Sequence, residues 1–165
     1  MVTAPTVAAT RDTSQVHAAI TAAAGFLIAV LWFDLMFDVQ VMPHRGAPVV
    51  PEHVTDSIAT YYRRVTTDAS PMGRLIALVM VCLLALLVWQ AARGGTPAWV
   101  SVVSLVAAVA AIGLAIGKVV PAAVRLGSQR DPHPTQSALA RSIFRDHVLF
   151  LGLMVTVLVV QLAGG

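Results

Sequence analysis

Asp34 and Asp38 stand four residues apart in "LWFDLMFDVQVMPHR" (31–45), a stretch that otherwise reads as apolar helix. At helical pitch they share one face, with Cβ atoms about 5–6 Å apart. An acid at the centre of a membrane helix costs about 2.5–3.5 kcal/mol, so such a pair needs partners, water or a task. Three roles fit the residue types. The acids can neutralise Arg145, Lys118 or Arg74 and hold helices in register. They can exchange protons, because unpaired like charges push one proton affinity upward, whereas a compensating arginine removes that ability. With His44, Asp146 and His147 they also make a carboxylate and imidazole set of the kind iron, manganese or zinc accepts. No dense signature such as Glu-x-x-His is present, so no metal is assigned, and Asp34, Asp38, His44 and His147 form only a loose ligand set. Arg145 and His147 lie about 200° apart around a helix and cannot converge on one atom.

The elements that must position these groups are apolar. The 165 residues are 58% hydrophobic and 12% charged, with a mean hydropathy of +0.80. A soluble chain carries about 25% charged residues, and crossing about 30 Å of hydrocarbon takes about 20 apolar ones. Four runs qualify, at 17–41, 74–92, 97–120 and 143–163, the last with a polar first turn. "LIALVMVCLLALLVW" (75–89) has no polar face, which excludes a soluble bundle. The expected fold is an all-α integral membrane protein. It is one four-transmembrane-helix bundle over 17–163, preceded by a disordered outer arm over 1–16. That arm is weakly charged and the apolar run behind it too long for a signal peptide. Pro121, after "GKVV", marks the end of the third helix or a kink in it.

Lys and Arg divide nine against two between the sides of such a bundle. Arg45, Arg63, Arg64, Arg74, Lys118, Arg125, Arg130, Arg141 and Arg145 fall on one side, Arg11 and Arg93 on the other. The excess places loops one and three in the cytoplasm and both termini outside a cell membrane. It also accounts for the pI near 9.8 without nucleic acid. In loop one, "EHVTDSIATYYRRVTTDASP" repeats apolar residues at helical spacing, with acids early and arginines late. This suits a short amphipathic interfacial helix, anchored at the headgroups by Tyr61 and Tyr62 with Arg63 and Arg64 at the phosphates. Every helix thus brings polar residues to the cytoplasmic end, while the outer end offers mainly His17, Gln90 and Gln161.

Other positions read more simply. Cys82 is alone and mid-helix, so neither a disulfide nor a thiolate metal site is proposed. Trp89 and Trp99 fit an aromatic belt, while Trp32, beside Asp34, packs against lipid or core or lines a pocket. Gly113 and Gly117 form a GxxxG pair, suited to packing within the bundle, to a homo-oligomer or to a partner helix.

The order of "FDVQVMPHR", "YYRRVTTDASPMGRL", "GKVVPAAVRLGS" and an Arg- and His-bearing run before the fourth helix resembles the small four-helix membrane family that includes the anthrone oxygenases. The likeness extends over residues 20–163. It implies a helical bundle and oxygenation of a flat polycyclic phenolic substrate without a settled cofactor, and the positions that match are Pro43, His44, Pro121, Arg145 and His147. An enzyme of this kind needs a base that takes a proton from carbon, leaving a carbanion that reacts with oxygen. Asp34, Asp38, His147 and Arg145 are the catalytic candidates, and Trp32, His44, Arg74 and Lys118 the substrate-binding ones. The residues name no cofactor. Two other readings stand beside it. One is a non-enzymatic membrane subunit or assembly partner. The other is a small transporter acting as an oligomer, although inverted repeats and broken helices are absent from the sequence.

Overall fold

The inward seam of the first helix explains most of the architecture. Ile20, Ala24, Leu27 and Leu31 recur at alternating steps of four and three and are all buried. The same rhythm continues through Asp34 and Asp38 to Val41. A seam of this period keeps one stripe facing neighbouring helices. The two acids therefore occupy positions that the helix turns toward the protein interior.

The computed structural model describes residues 7–164, and every element among them is helical. Helix α1 (Val7–Asp38) tightens into a 3₁₀ turn over Val39–His44. Helix α2 (Glu52–Arg63) follows Pro51 and ends in a π turn over Arg64–Asp68. Then come α3 (Ser70–Arg93), α4 (Ala98–Leu114), a π turn over Ala115–Val119, α5 (Val120–Ser128) and α6 (His133–Gly164). Four helical stretches are long and apolar enough to cross a membrane: Thr13–His44, Pro71–Arg93, Ala98–Ser128 and His133–Gly164.

These four form a closed ring in which α1 packs on α3 and α6, and α4 packs on α3 and α6. Their shared core takes Leu83 and Leu87 from α3, alanines 107, 108, 111 and 115 from the third rod, and Phe150, Met154 and Val157 from α6. The alanines let that rod approach closely. Large apolar side chains such as Trp32, Val81, Val106 and Ile116 face outward, each more than half exposed.

Several boundaries differ from the sequence expectations. The arm expected over 1–16 is helical from Val7 onward, and residues 1–6 lie outside the described residues. The third rod does not end at Pro121. Its π turn closes with the Val120 N–H on the Ala115 carbonyl, and the widened turn ahead of the proline relieves the ring clash that would otherwise stop the helix. The fourth helix begins ten residues before its apolar run, at His133.

Helix α2 lies across one end of the ring, against α5, α6 and the end of α1. Its buried face, with Val54, Ile58 and Ala59, closes a second core with Val41, Leu126, Ala140 and Ile143. Gly127 of α5 makes the approach possible: a Cβ there would lie 2.7 Å from the Arg63 nitrogen and 3.0 Å from its Cα. Arg63 then locks the contact, donating from Nε to the Gly127 carbonyl at 3.0 Å and from Nη2 to Gln129 Oε1 at 2.7 Å. Gln129, in the left-handed conformation at φ 52°, passes the tie on to Asp56 at 3.1 Å.

Candidate functional site

The end of the ring that α2 covers holds five interlocked side chains. Asp34 and Asp38 come from the α1 seam and Tyr61 and Tyr62 from the last turn of α2. His147 comes from α6, on a seam that runs Ala140, Ile143, His147, Phe150, Met154. All three elements point these residues at the same interior volume for the same reason: each stands where an apolar core residue would otherwise stand.

Asp38 is fully buried. Its Oδ1 accepts the Tyr62 hydroxyl at 2.7 Å, and its Oδ2 lies 2.6 Å from His147 Nδ1. An ionised carboxylate only accepts, so the short contact places the proton on Nδ1. The Tyr62 oxygen is also 3.3 Å from Nδ1. Asp34 accepts the Tyr61 hydroxyl at 2.6 Å, and its Oδ2 stands 3.9 Å from His147 Nε2. That last spacing is an electrostatic contact, longer than a hydrogen bond. The Asp34 side chain keeps 17% of its exposure, against none for Asp38, so the pair has an inner and an outer member.

Tyr61 stacks flat on Phe37, with ring centroids 4.0 Å apart, which fixes its hydroxyl over Asp34. Both tyrosine hydroxyls are held far above their ordinary range. Burial is the first cause; the charge of the acid each one bonds is the second, since ionising a phenol there would set two anions side by side.

In chemical terms, the cluster is an imidazole with one nitrogen fixed by a buried carboxylate and the other left free toward a second, less buried carboxylate. The fixed nitrogen sets the tautomer and orientation, so Nε2 is the basic atom. Among the described residues, no three His, Cys, Asp or Glu side chains converge in a way that could hold a metal ion.

The structure thus brings together Asp34, Asp38 and His147 and leaves the other sequence candidates elsewhere. The acids bond neither Arg145, Lys118 nor Arg74; two phenols and an imidazole take that place. Lys118, 63% exposed, pairs with Asp146 at 3.4 Å, and Asp146 also accepts from Ser142 at 3.3 Å. Arg74 and Arg145 are exposed, Arg145 on the face of α6 turned away from His147. His44 offers its backbone carbonyl to Arg141 at 3.1 Å. Trp32 is 63% exposed on the outer surface of α1. Tyr61 and Tyr62, expected at the headgroups, are the residues the sequence reading misplaced. The available signal was their position one helical step past Ile58 on the apolar stripe of α2.

The opposite end of the ring carries a different knot. Gln90 of α3 and Gln161 of α6 exchange amide hydrogen bonds at 3.1 and 2.9 Å. Gln161 also donates to Ser104 at 3.0 Å, and Gln90 to Thr96 at 3.2 Å.

No family model matches the chain, and neither a curated protein nor a solved structure does so. The likeness to the anthrone-oxygenase family therefore rests on the short sequence stretches alone.

Proposed function

We propose that the chain is an integral membrane protein whose ionisable cluster is an acid–base site, acting on a flat, weakly acidic aromatic molecule dissolved in the bilayer. The four helices of crossing length support the membrane reading. The division of Lys and Arg supports loops one and three in the cytoplasm and both termini outside, which sets the cluster at the cytoplasmic end under an interfacial α2.

One observation carries the acid–base reading: His147 Nδ1 is bound by the buried Asp38 at 2.6 Å while Nε2 faces the outer acid across 3.9 Å. A carboxylate in that position holds the ring and stabilises the imidazolium that forms when Nε2 takes a proton. Asp34, accepting only the Tyr61 phenol, then relays the proton outward. Such a base contributes about 10²–10⁴-fold to a proton abstraction. With the sequence likeness added, the reaction is removal of a proton from an activated CH₂, attack of the carbanion on oxygen, and loss of water to leave a ketone. The balance is one CH₂ and one O₂ to one C=O and one H₂O.

The test uses anthrone and dissolved oxygen with the purified chain in detergent, following anthraquinone by absorbance and oxygen by electrode. The wild type is expected to turn over, and His147→Gln and Asp38→Asn to lose at least about 100-fold while keeping their helix content. Wild-type turnover retained by both variants would remove the base from His147. An inert wild type would remove the oxygenase chemistry.

A second reading has its own observation. Gly113 and Gly117 are exposed on the outer face of the third rod, and an added Cβ at either would meet nothing within 4 Å. Small residues on an open face let another helix approach, which suits a membrane subunit or a homo-oligomer. Gly113→Leu should then dissociate a complex that the acid–base variants leave intact, as read by native mass spectrometry.

A further inference from the structure

Three guanidinium groups outside the ionisable cluster gather in one groove with no carboxylate of the described residues among them. Arg45, Arg141 and Arg145 line a groove of about 430 Å³ between the 3₁₀ turn and α6. Among the described residues no carboxylate comes within 4.0 Å of any of them, whereas Arg125 pairs with Asp131 at 2.7 Å and Lys118 with Asp146. Arg141 is the fixed member. It is half-buried, and its Nη2 donates to the carbonyls of His44 at 3.1 Å and Ala47 at 2.7 Å. Its Nε is enclosed without a partner. Arg145 stands one helical turn further along the same face, and Arg45 closes the groove from the other wall.

Three like charges gathered in one groove repel one another unless an anion joins them. Guanidinium groups match phosphate in particular, through paired, charge-assisted N–H donors. The rest of the lining is apolar: Val41, Met42, Ala138 and Phe144. A free phosphate has no use for that wall, but the glycerol and first acyl carbons of a lipid do.

We infer that this groove binds an anionic phospholipid, with its phosphate on Arg45, Arg141 and Arg145 and its apolar part along Met42 and Phe144. The site rests on the membrane reading above and is independent of the acid–base reading, because it shares no residue with the cluster. A bound lipid bridges the end of α1 to the start of α6, the two elements that also carry Asp38 and His147.

The test is native mass spectrometry of the full chain in neutral detergent, titrated with phosphatidylglycerol or phosphatidylcholine. The wild type is expected to retain phosphatidylglycerol at about tenfold lower concentration than phosphatidylcholine, the scale of one or two charge-assisted bonds. The Arg45→Gln/Arg145→Gln double variant removes two exposed arginines that make no structural bond, and should lose the preference. Arg141→Gln should lose it too, but also unties the 3₁₀ turn, so the double variant decides. Arg74→Gln, an exposed arginine outside the groove, should keep it. A preference that survives the double variant, or falls equally with Arg74→Gln, overturns the site. Displacement of the lipid by an equal concentration of inorganic phosphate overturns the lipid assignment in favour of a free anion. A chain washed from membranes by alkaline carbonate without detergent sinks the membrane reading itself; a retained chain without lipid preference sinks only the groove.

Discussion

The two ends of the helical ring solve the same mechanical problem with different chemistry. At one end Gln90 and Gln161 tie α3 to α6 through a reciprocal amide pair, with Gln161 fully buried and bonded to Ser104 as well. At the other, Asp38 and His147 tie α1 to α6, with Tyr62 bringing in α2. Both knots are buried, but the amide pair bonds its polar atoms in full while His147 keeps Nε2 without a hydrogen bond, 3.9 Å from Asp34. An amide pair holds helices in register without placing charge in a low-dielectric interior. Carboxylates in the same setting cost several kcal/mol unless they are paired and bonded. Register alone therefore does not account for two acids, an imidazole and two phenols at one end, when neutral amides suffice at the other. The ionisable end can gain and lose protons, and the amide end cannot.

Under the proposed acid–base function, the largest effect expected from this contrast is on turnover. Asp38→Asn keeps the size of the side chain but presents an amide to His147, so the ring loses the acceptor that defines its tautomer. In a carboxylate-held histidine this costs about 10³–10⁴-fold in kcat. Replacing both amides at the opposite end, as Gln90→Met with Gln161→Met, should leave anthraquinone formation within about twofold, since the two knots share no partner. Equal losses at the two ends would mean that turnover follows general helix packing, and the distinction between them would fail.

Stability should separate the ends next. Asp38→Leu leaves the Tyr62 hydroxyl and the His147 N–H buried without their acceptor, a loss of about 2–4 kcal/mol. The double methionine variant removes both members of the amide pair together and leaves only the Ser104 and Thr96 hydroxyls without their donors, so it should cost less, about 1–2 kcal/mol. Thermal unfolding of both in one detergent makes the comparison direct. A double variant as costly as Asp38→Leu would show that the neutral knot bears as much as the charged one.

How much of this was legible in the sequence depends on the kind of contact. The four long apolar stretches and the amphipathic α2 follow from composition and period, because burial of a helix face imposes both. The inward placement of Asp34 and Asp38 was legible too: steps of four and three carry Ile20, Ala24, Leu27 and Leu31 on to both acids. The partners were not. Arginines were expected because they are the nearest charges by topology, but Arg145 sits about 200° around α6 from His147, and Lys118 is taken by Asp146. Tyr61 and Tyr62 reach the acids only because Gly127 lets α2 lie against α5, a backbone approach that no local pattern announces. The π turn before Pro121 is of the same kind, since a proline alone does not tell whether a helix stops or widens and goes on.

That glycine gives the third way to sharpen the comparison. In Gly127→Ala the new methyl meets the backbone of Tyr62 and Arg63 at 2.7–3.1 Å, where no flexible side chain can yield. Overpacking of this sort costs about 1–3 kcal/mol. Because α2 must shift as a body, Tyr61 and Tyr62 should lose their hold on Asp34 and Asp38, and turnover should fall with stability. The amide end lies beyond the reach of that shift. Hydrogen exchange should therefore rise in α2 and at the end of α1 but not around Gln90 and Gln161.

The smallest effect is spectroscopic, and it reports the charged end alone. Tyr61 and Tyr62 are the only tyrosines in the chain, and both belong to the cluster. Burial, followed by the neighbouring carboxylate charges, raises both hydroxyls well above the ordinary value of about 10. Their proton is thus held by the folded state and released by the unfolded one once the pH passes about 10, so stability is complete below that pH and declines as pH rises above it. Tyrosinate absorbance should stay flat through pH 10 while the helices persist, then rise together with loss of helical circular dichroism. Tyr61→Phe removes the half-buried member and its bond to Asp34 at a cost of about 1 kcal/mol, leaving the Tyr62 signal still tied to unfolding. A tyrosinate that titrates near pH 10 in the intact protein would place that hydroxyl in water, away from its acid. The cluster would then open without unfolding.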